Sequence, residues 1–228
     1  MLGLLALAEA WFIAAPRLDD LGGSNLAFFA TTVPAMLLAT GLVIGCLPFR
    51  DDVAAQLGLI AVGAVAGAAL SSGAPEAAAP FKALFAAGAG LALARLIPLG
   101  SIVYALAIVV AIADAVSVSV GPTHYLVTEE PGVVDYLALS IPSWGGDISQ
   151  LGVSDLLFCA VYLSTAWRFG LRRTATAIAI AASLVASLAI AIWSDVAIPA
   201  LPLMSLALLA PNADLVWAAL REDLRKLE

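Results

Sequence analysis

Residues 101–120 read SIVYALAIVVAIADAVSVSV, an unbroken apolar run with a single charge, Asp114. A helix needs about 20 apolar residues to cross the hydrocarbon core of a bilayer, and this run supplies them. A charged side chain in the middle of such a span costs about 3 kcal/mol or more, so Asp114 calls for a function as well as a helix. Working outward, further candidate spans cover residues 2–16, 26–47, 53–72, 79–97, 151–170, 174–194 and 196–211. With 101–120 that makes about eight helices, the first and last short. Composition agrees: the 228 residues are 63% hydrophobic and 12% charged, against roughly 45–50% and 25% in soluble domains. The sequence therefore predicts an all-α, polytopic transmembrane helix bundle. Its first span lacks a preceding basic region and carries Glu9, so it reads as a retained helix rather than a signal peptide.

Charge narrows the function. Ten Lys and Arg against 17 Asp and Glu leave a net charge of −7, which excludes nucleic acid as a partner. Cys46 and Cys159 sit in apolar runs and read as small buried hydrophobes. His124 is the only histidine, so neither a histidine triad nor a zinc site is expected. No metal or cofactor is implied, and any chemistry falls to carboxylates. The Lys/Arg bias of the loops sets an orientation. With the N-terminus cytoplasmic, Arg50, Arg95, Arg168, Arg172, Arg173, Arg221, Arg225 and Lys226 face inside, and only Arg17 and Lys82 face outside. The connection 121–150 has no Lys or Arg, carries Glu129, Glu130, Asp135 and Asp147, and falls outside. The expected organisation is residues 1–98 as N-terminal transmembrane helices, 99–212 as a catalytic core, and 213–228 as an amphipathic tail along the inner surface. Gly63 and Gly67 form a GxxxG, which fits either close helix contact or simple Ala/Gly bias.

Four carboxylates fall within or beside spans. Glu9 lies in a short span near an interface, and Asp195 at a helix end, where a solvated carboxylate is cheap. Asp114 and Asp155 differ. They occupy consecutive antiparallel spans, joined by the acidic outer connection, at similar depth below the outer surface. Two facing carboxyl groups in a low-dielectric site share one proton. Such a pair holds a water between a general base and a general acid, the requirement for hydrolysing a peptide bond. The last span opens VAIPALPLMSL, where Pro199 and Pro202 are expected to break the helix and leave unpaired carbonyls beside a watery cavity.

Together these residues resemble the presenilin and signal peptide peptidase family of intramembrane aspartyl proteases, in particular its short prokaryotic presenilin-like members. Over residues 101–211, Asp114 in ADAVSV is similar to the family's first catalytic aspartate. Gly152-Val153-Ser154-Asp155 is similar to its GxGD motif, and Pro199-Ala200-Leu201 to its PAL motif. Ala113 stands where the family often has tyrosine, and Ser154 where it has the second glycine. The resemblance implies an endopeptidase with Asp114 and Asp155 catalytic. Gly152, Ser154, Pro199, Ala200 and Leu201 would bind the substrate, a single-span membrane protein or signal peptide. A proton- or cation-coupled transporter, with midplane carboxylates and broken helices, is the rival from another class. An inactive presenilin-like protein that binds membrane proteins is the third.

Overall fold

Long apolar runs become helices, and prolines and capping residues fix where they begin. The structure is a computed structural model, and it describes all residues except 18–24, 122–124, 126–130, 143–147, 195–197 and 226–228. Its elements are α1 (Leu2–Ala14), α2 (Asn25–Cys46), α3 (Val53–Ser71), α4 (Pro75–Arg95), α5 (Gly100–Val120), α6 (Pro131–Leu137), β1 (Ala138–Pro142) and β2 (Ile148–Gly152). Then come α7 (Val153–Arg168), α8 (Arg173–Ser194), α9 (Ala200–Leu209) and α10 (Ala213–Arg225). Asp52 caps α3, its Oδ1 accepting the Ala55 N–H at 3.0 Å.

Among the described residues, six helical stretches are long and apolar enough to cross a membrane: Phe29–Phe49, Val53–Ser71, Pro75–Arg95, Gly100–Val120, Arg173–Ala191 and Ala200–Ala218. Many of their apolar side chains point away from protein. Leu57, Val62 and Val65 on α3 are exposed, as are Ile108, Val109 and Ile112 on α5. Faces of this kind need lipid around them, and the protein is membrane-embedded. Two of the eight sequence spans are not among these six. The run 2–16 yields 13 helical residues and 151–170 yields 16, or roughly 20 and 24 Å of helix at 1.5 Å per residue.

The connection 121–150, expected as plain loop, instead carries α6 and an antiparallel pair of strands. Ala138 pairs with Gly152, Ser140 with Gln150 and Pro142 with Ile148. The described residues are thus mostly helical, with one two-stranded sheet.

The chain divides into two units. The first comprises Met1–Ala92 and Leu126–Ala160. Within it, α3 and α4 meet backbone to backbone at Gly63, where a Cβ would lie 2.7 Å from the Phe81 carbonyl oxygen and closer still to the Phe85 nitrogen. Gly90 of α4 meets α7 in the same way, facing the Leu157 carbonyl and the Ala160 side chain. These contacts are the close helix packing that small residues permit.

The second unit comprises Leu93–Tyr125 and Val161–Glu228. Here α9 packs on α5 and α8, joined by polar groups that would be costly to leave unpaired in an apolar interior. The Ser205 hydroxyl donates to the Ala107 carbonyl at 2.8 Å and accepts from the Tyr162 hydroxyl at 3.0 Å. Asn212 ties the far end of α9. Its Nδ2 donates to Thr176 Oγ1 at 2.9 Å and to the Leu208 carbonyl at 2.7 Å, while its Oδ1 accepts the Arg172 N–H at 2.8 Å.

Candidate active site

In the second unit the structure joins Asp114 to the Pro199-Ala200-Leu201 segment. The Leu201 N–H donates to Asp114 Oδ2 at 3.1 Å. Local chemistry explains the contact. A helix leaves its first four N–H groups without intrahelical partners. Pro199 stands at the N-cap of α9 with extended backbone (φ −64°, ψ 125°) and offers no side-chain cap. Neither Pro199 nor Pro202 has an N–H to satisfy. The first turn therefore presents only the Ala200 and Leu201 N–H groups, and the second is capped by a carboxylate from another helix. The positive end of the α9 dipole faces that carboxyl group.

Seven residues back along α5, the carbonyl of Ala107 accepts from Ser205, one turn after Leu201 on α9. Asp114 and Ala107 thus fix the register of α9 on α5 at two points. This corrects one expectation from the sequence. The two prolines do not break a helix from within: α9 begins between them, at Ala200. Pro202, in the first turn, removes an N–H that had no helical partner anyway.

The remaining site residues lie in the first unit. Gly152 ends β2, and Asp155 is the third residue of α7, so the motif straddles a strand-to-helix junction. β2 takes up the start of the expected span 151–170, which puts Asp155 in the first turn of the helix. Its side chain is buried, at 9% exposure, whereas Ser154 is exposed. Gly152 lies against both. A Cβ there would stand 3.1 Å from Asp155 Oδ2 and 3.1 Å from Ser154 Oγ. Glycine leaves room for the carboxylate to lie over the strand end.

Lys82 is a residue whose burial sequence reasoning missed. Counted among the outward-facing charges, it lies within α4 at 5% exposure. Its ammonium donates to the Ala138 carbonyl at 2.9 Å and to the Asp135 carbonyl. Those oxygens lie at the C-terminal end of α6 and the start of β1, where helical carbonyls lack partners. A cavity of about 250 Å³ adjoins it, lined among others by Gly63, Gly67, Tyr136, Leu137 and Val153. A cation inside the apolar stretch PFKALFAAGAG was the available signal. Its partners are carbonyls more than fifty residues away in sequence, and nothing in the sequence marks a carbonyl as an acceptor.

Of the other carboxylates, Glu9 is half-buried, and its Oε1 has no hydrogen-bond partner among the described residues. Asp195 lies outside the described residues. Among the described residues no three His, Cys, Asp or Glu side chains cluster so as to hold a metal ion. Comparison of the chain with protein-family models, curated proteins and solved structures gives no match.

Proposed function

We propose that this protein is an intramembrane aspartyl endopeptidase of presenilin-like type, with eight membrane spans. Asp114 and Asp155 hold one proton between them and polarise a water against the scissile carbonyl of a transmembrane substrate. The ionised carboxyl takes a proton from the water, and the protonated one donates to the carbonyl oxygen. The tetrahedral adduct collapses with protonation of the leaving nitrogen. No metal or cofactor enters. Substrates are single-span membrane proteins or signal peptides.

The observation that carries this reading is the hydrogen bond from Leu201 to Asp114. It joins two motifs separated by 87 residues in sequence, the aspartate and the Pro-Ala-Leu segment, on an apolar helix pair. A substrate helix must unwind before hydrolysis, and its freed N–H and C=O groups then need partners. The short antiparallel sheet immediately before Asp155 supports this step, because an extended peptide can add to the edge of such a sheet. In this reading both termini are cytoplasmic and residues 121–150 lie on the outer side of the cell membrane, following the positive-inside bias.

A transporter would also use a carboxylate at a helix N-terminus within the membrane. Reconstituted proteoliposomes separate the two. A labelled transmembrane peptide in the bilayer should be converted to two fragments by the wild-type protein, with no proton uptake coupled to a gradient. Gradient-coupled uptake without fragments would make the protein a carrier.

A further inference from the structure

Lys82 is the one lysine or arginine among the described residues buried below a tenth exposure, and no catalytic step above uses it. A buried cation persists only where its hydrogen bonds are satisfied. Here the satisfying groups are backbone. By binding the Asp135 and Ala138 carbonyls together, the ammonium caps the end of α6 and fixes the first residue of β1. Ala138 is the sheet partner of Gly152. The Asp155 carboxylate and the Ser154 hydroxyl lie beside Gly152, each 3.1 Å from where its Cβ would stand. One continuous line of contacts therefore runs from α4 through the sheet register to the aspartate, all within the first unit.

Register is the quantity at stake. A slip of one residue in a two-stranded sheet turns every side chain to the opposite face. Two strands of five residues hold themselves weakly in place. An external anchor at the β1 start counters both weaknesses. Gly67 makes the anchor possible: a Cβ there would come within 3.2 Å of Lys82 Cγ and push the stem aside.

We propose that Lys82 is a positioning residue that holds the hairpin 138–152 in register, so that the sheet edge is ready to receive substrate and Asp155 is correctly presented. The substrate part of this inference rests on the protease reading; the hairpin part does not.

Two readouts test it. In the full-length protein carrying Ser140→Cys and Gln150→Cys, the directly paired positions should form a disulfide under mild oxidation. Lys82→Met, which keeps the length and removes every donor, should slow that closure about fivefold or more, because the aligned hairpin becomes a minority state. Lys82→Arg retains donors and should restore most of the rate. Gly67→Val keeps the ammonium but displaces its stem, and should slow closure in the same direction as Lys82→Met.

In peptide cleavage, Lys82→Met should raise KM about tenfold and leave kcat within about twofold, since saturating substrate pulls the hairpin into register. A role in folding alone would lower the active fraction and so reduce kcat at unchanged KM. Closure at the wild-type rate in Lys82→Met overturns the proposal, as does a fall in kcat at constant KM. A wild-type protein that cleaves no peptide overturns the protease reading alone. The disulfide rate then still decides whether Lys82 holds the hairpin.

Discussion

Asp114 serves two purposes: it caps α9 and, in the proposed chemistry, handles protons. The two can be separated by substitution. Asparagine keeps an oxygen in the same place, so Asp114→Asn should still accept the Leu201 N–H. We expect its unfolding in detergent to stay within about 0.5 kcal/mol of wild type, while cleavage is lost. Alanine removes the acceptor, and Asp114→Ala should cost about 1 kcal/mol as an uncapped helix end. Equal stability of the two variants would show that the cap contributes nothing.

Gly152 provides a second separation. Adding one methyl places carbon 3.1 Å from Asp155 Oδ2 and from Ser154 Oγ. Both neighbours are ends of flexible side chains, so Gly152→Ala should fold. Its cost appears in a displaced carboxylate, and cleavage should fall about tenfold, the penalty of misplacing a catalytic group by a fraction of an ångström. Ser154→Gly should preserve or raise cleavage, because it only removes a hydroxymethyl group. Full activity in Gly152→Ala would dissociate this junction from the active site.

Among the elements, the small-residue contacts make the sharpest contrast. At Gly63 the obstacles to a side chain are the backbone atoms of Phe81 and Phe85, which cannot swing away. Gly63→Ala should therefore destabilise by about 2 kcal/mol through overpacking between α3 and α4. Gly58 lies on the same helix with nothing within 4 Å of its Cβ position, and Gly58→Ala should be neutral or stabilising, by up to about 1 kcal/mol. Thermal unfolding of the two variants side by side measures the difference, and similar midpoints would refute close packing at Gly63.

The apolar helices were legible because apolar length acts locally, whereas the Gly63–Gly67 spacing left close contact and simple Ala/Gly bias both open. The hairpin was not. Its strands ALSIP and ISQLG are short and barely alternate, and the acidic connection in which they sit reads as solvated chain. The cluster Gly145-Gly146-Asp147 between them was the one turn signal available. The start of α9 was half legible. Proline chemistry marked the spot, but the sequence could not say that an aspartate on α5 would supply the missing cap.

For the molecule as a whole, the exposed apolar side chains and the six long apolar helices among the described residues place it in a membrane, and orientation becomes the next question. Cys46 and Cys159 are both fully buried, so native thiols give little background in a labelling experiment. An Asp147→Cys protein in intact cells should react with an impermeant maleimide, as expected for an outer connection. Protection there, with labelling only after permeabilisation, would invert the proposed topology.

The central claim is that Asp114 and Asp155 together activate water to cut a peptide bond inside the membrane. The most direct measurement is mass spectrometry of a transmembrane peptide incubated with the reconstituted protein in water enriched in oxygen-18. The account predicts two fragments, with one heavy oxygen in the new C-terminal carboxylate, and none of either product with Asp114→Asn or Asp155→Asn. Fragments that persist in either variant, or a wild-type protein that leaves every such peptide intact, would contradict it.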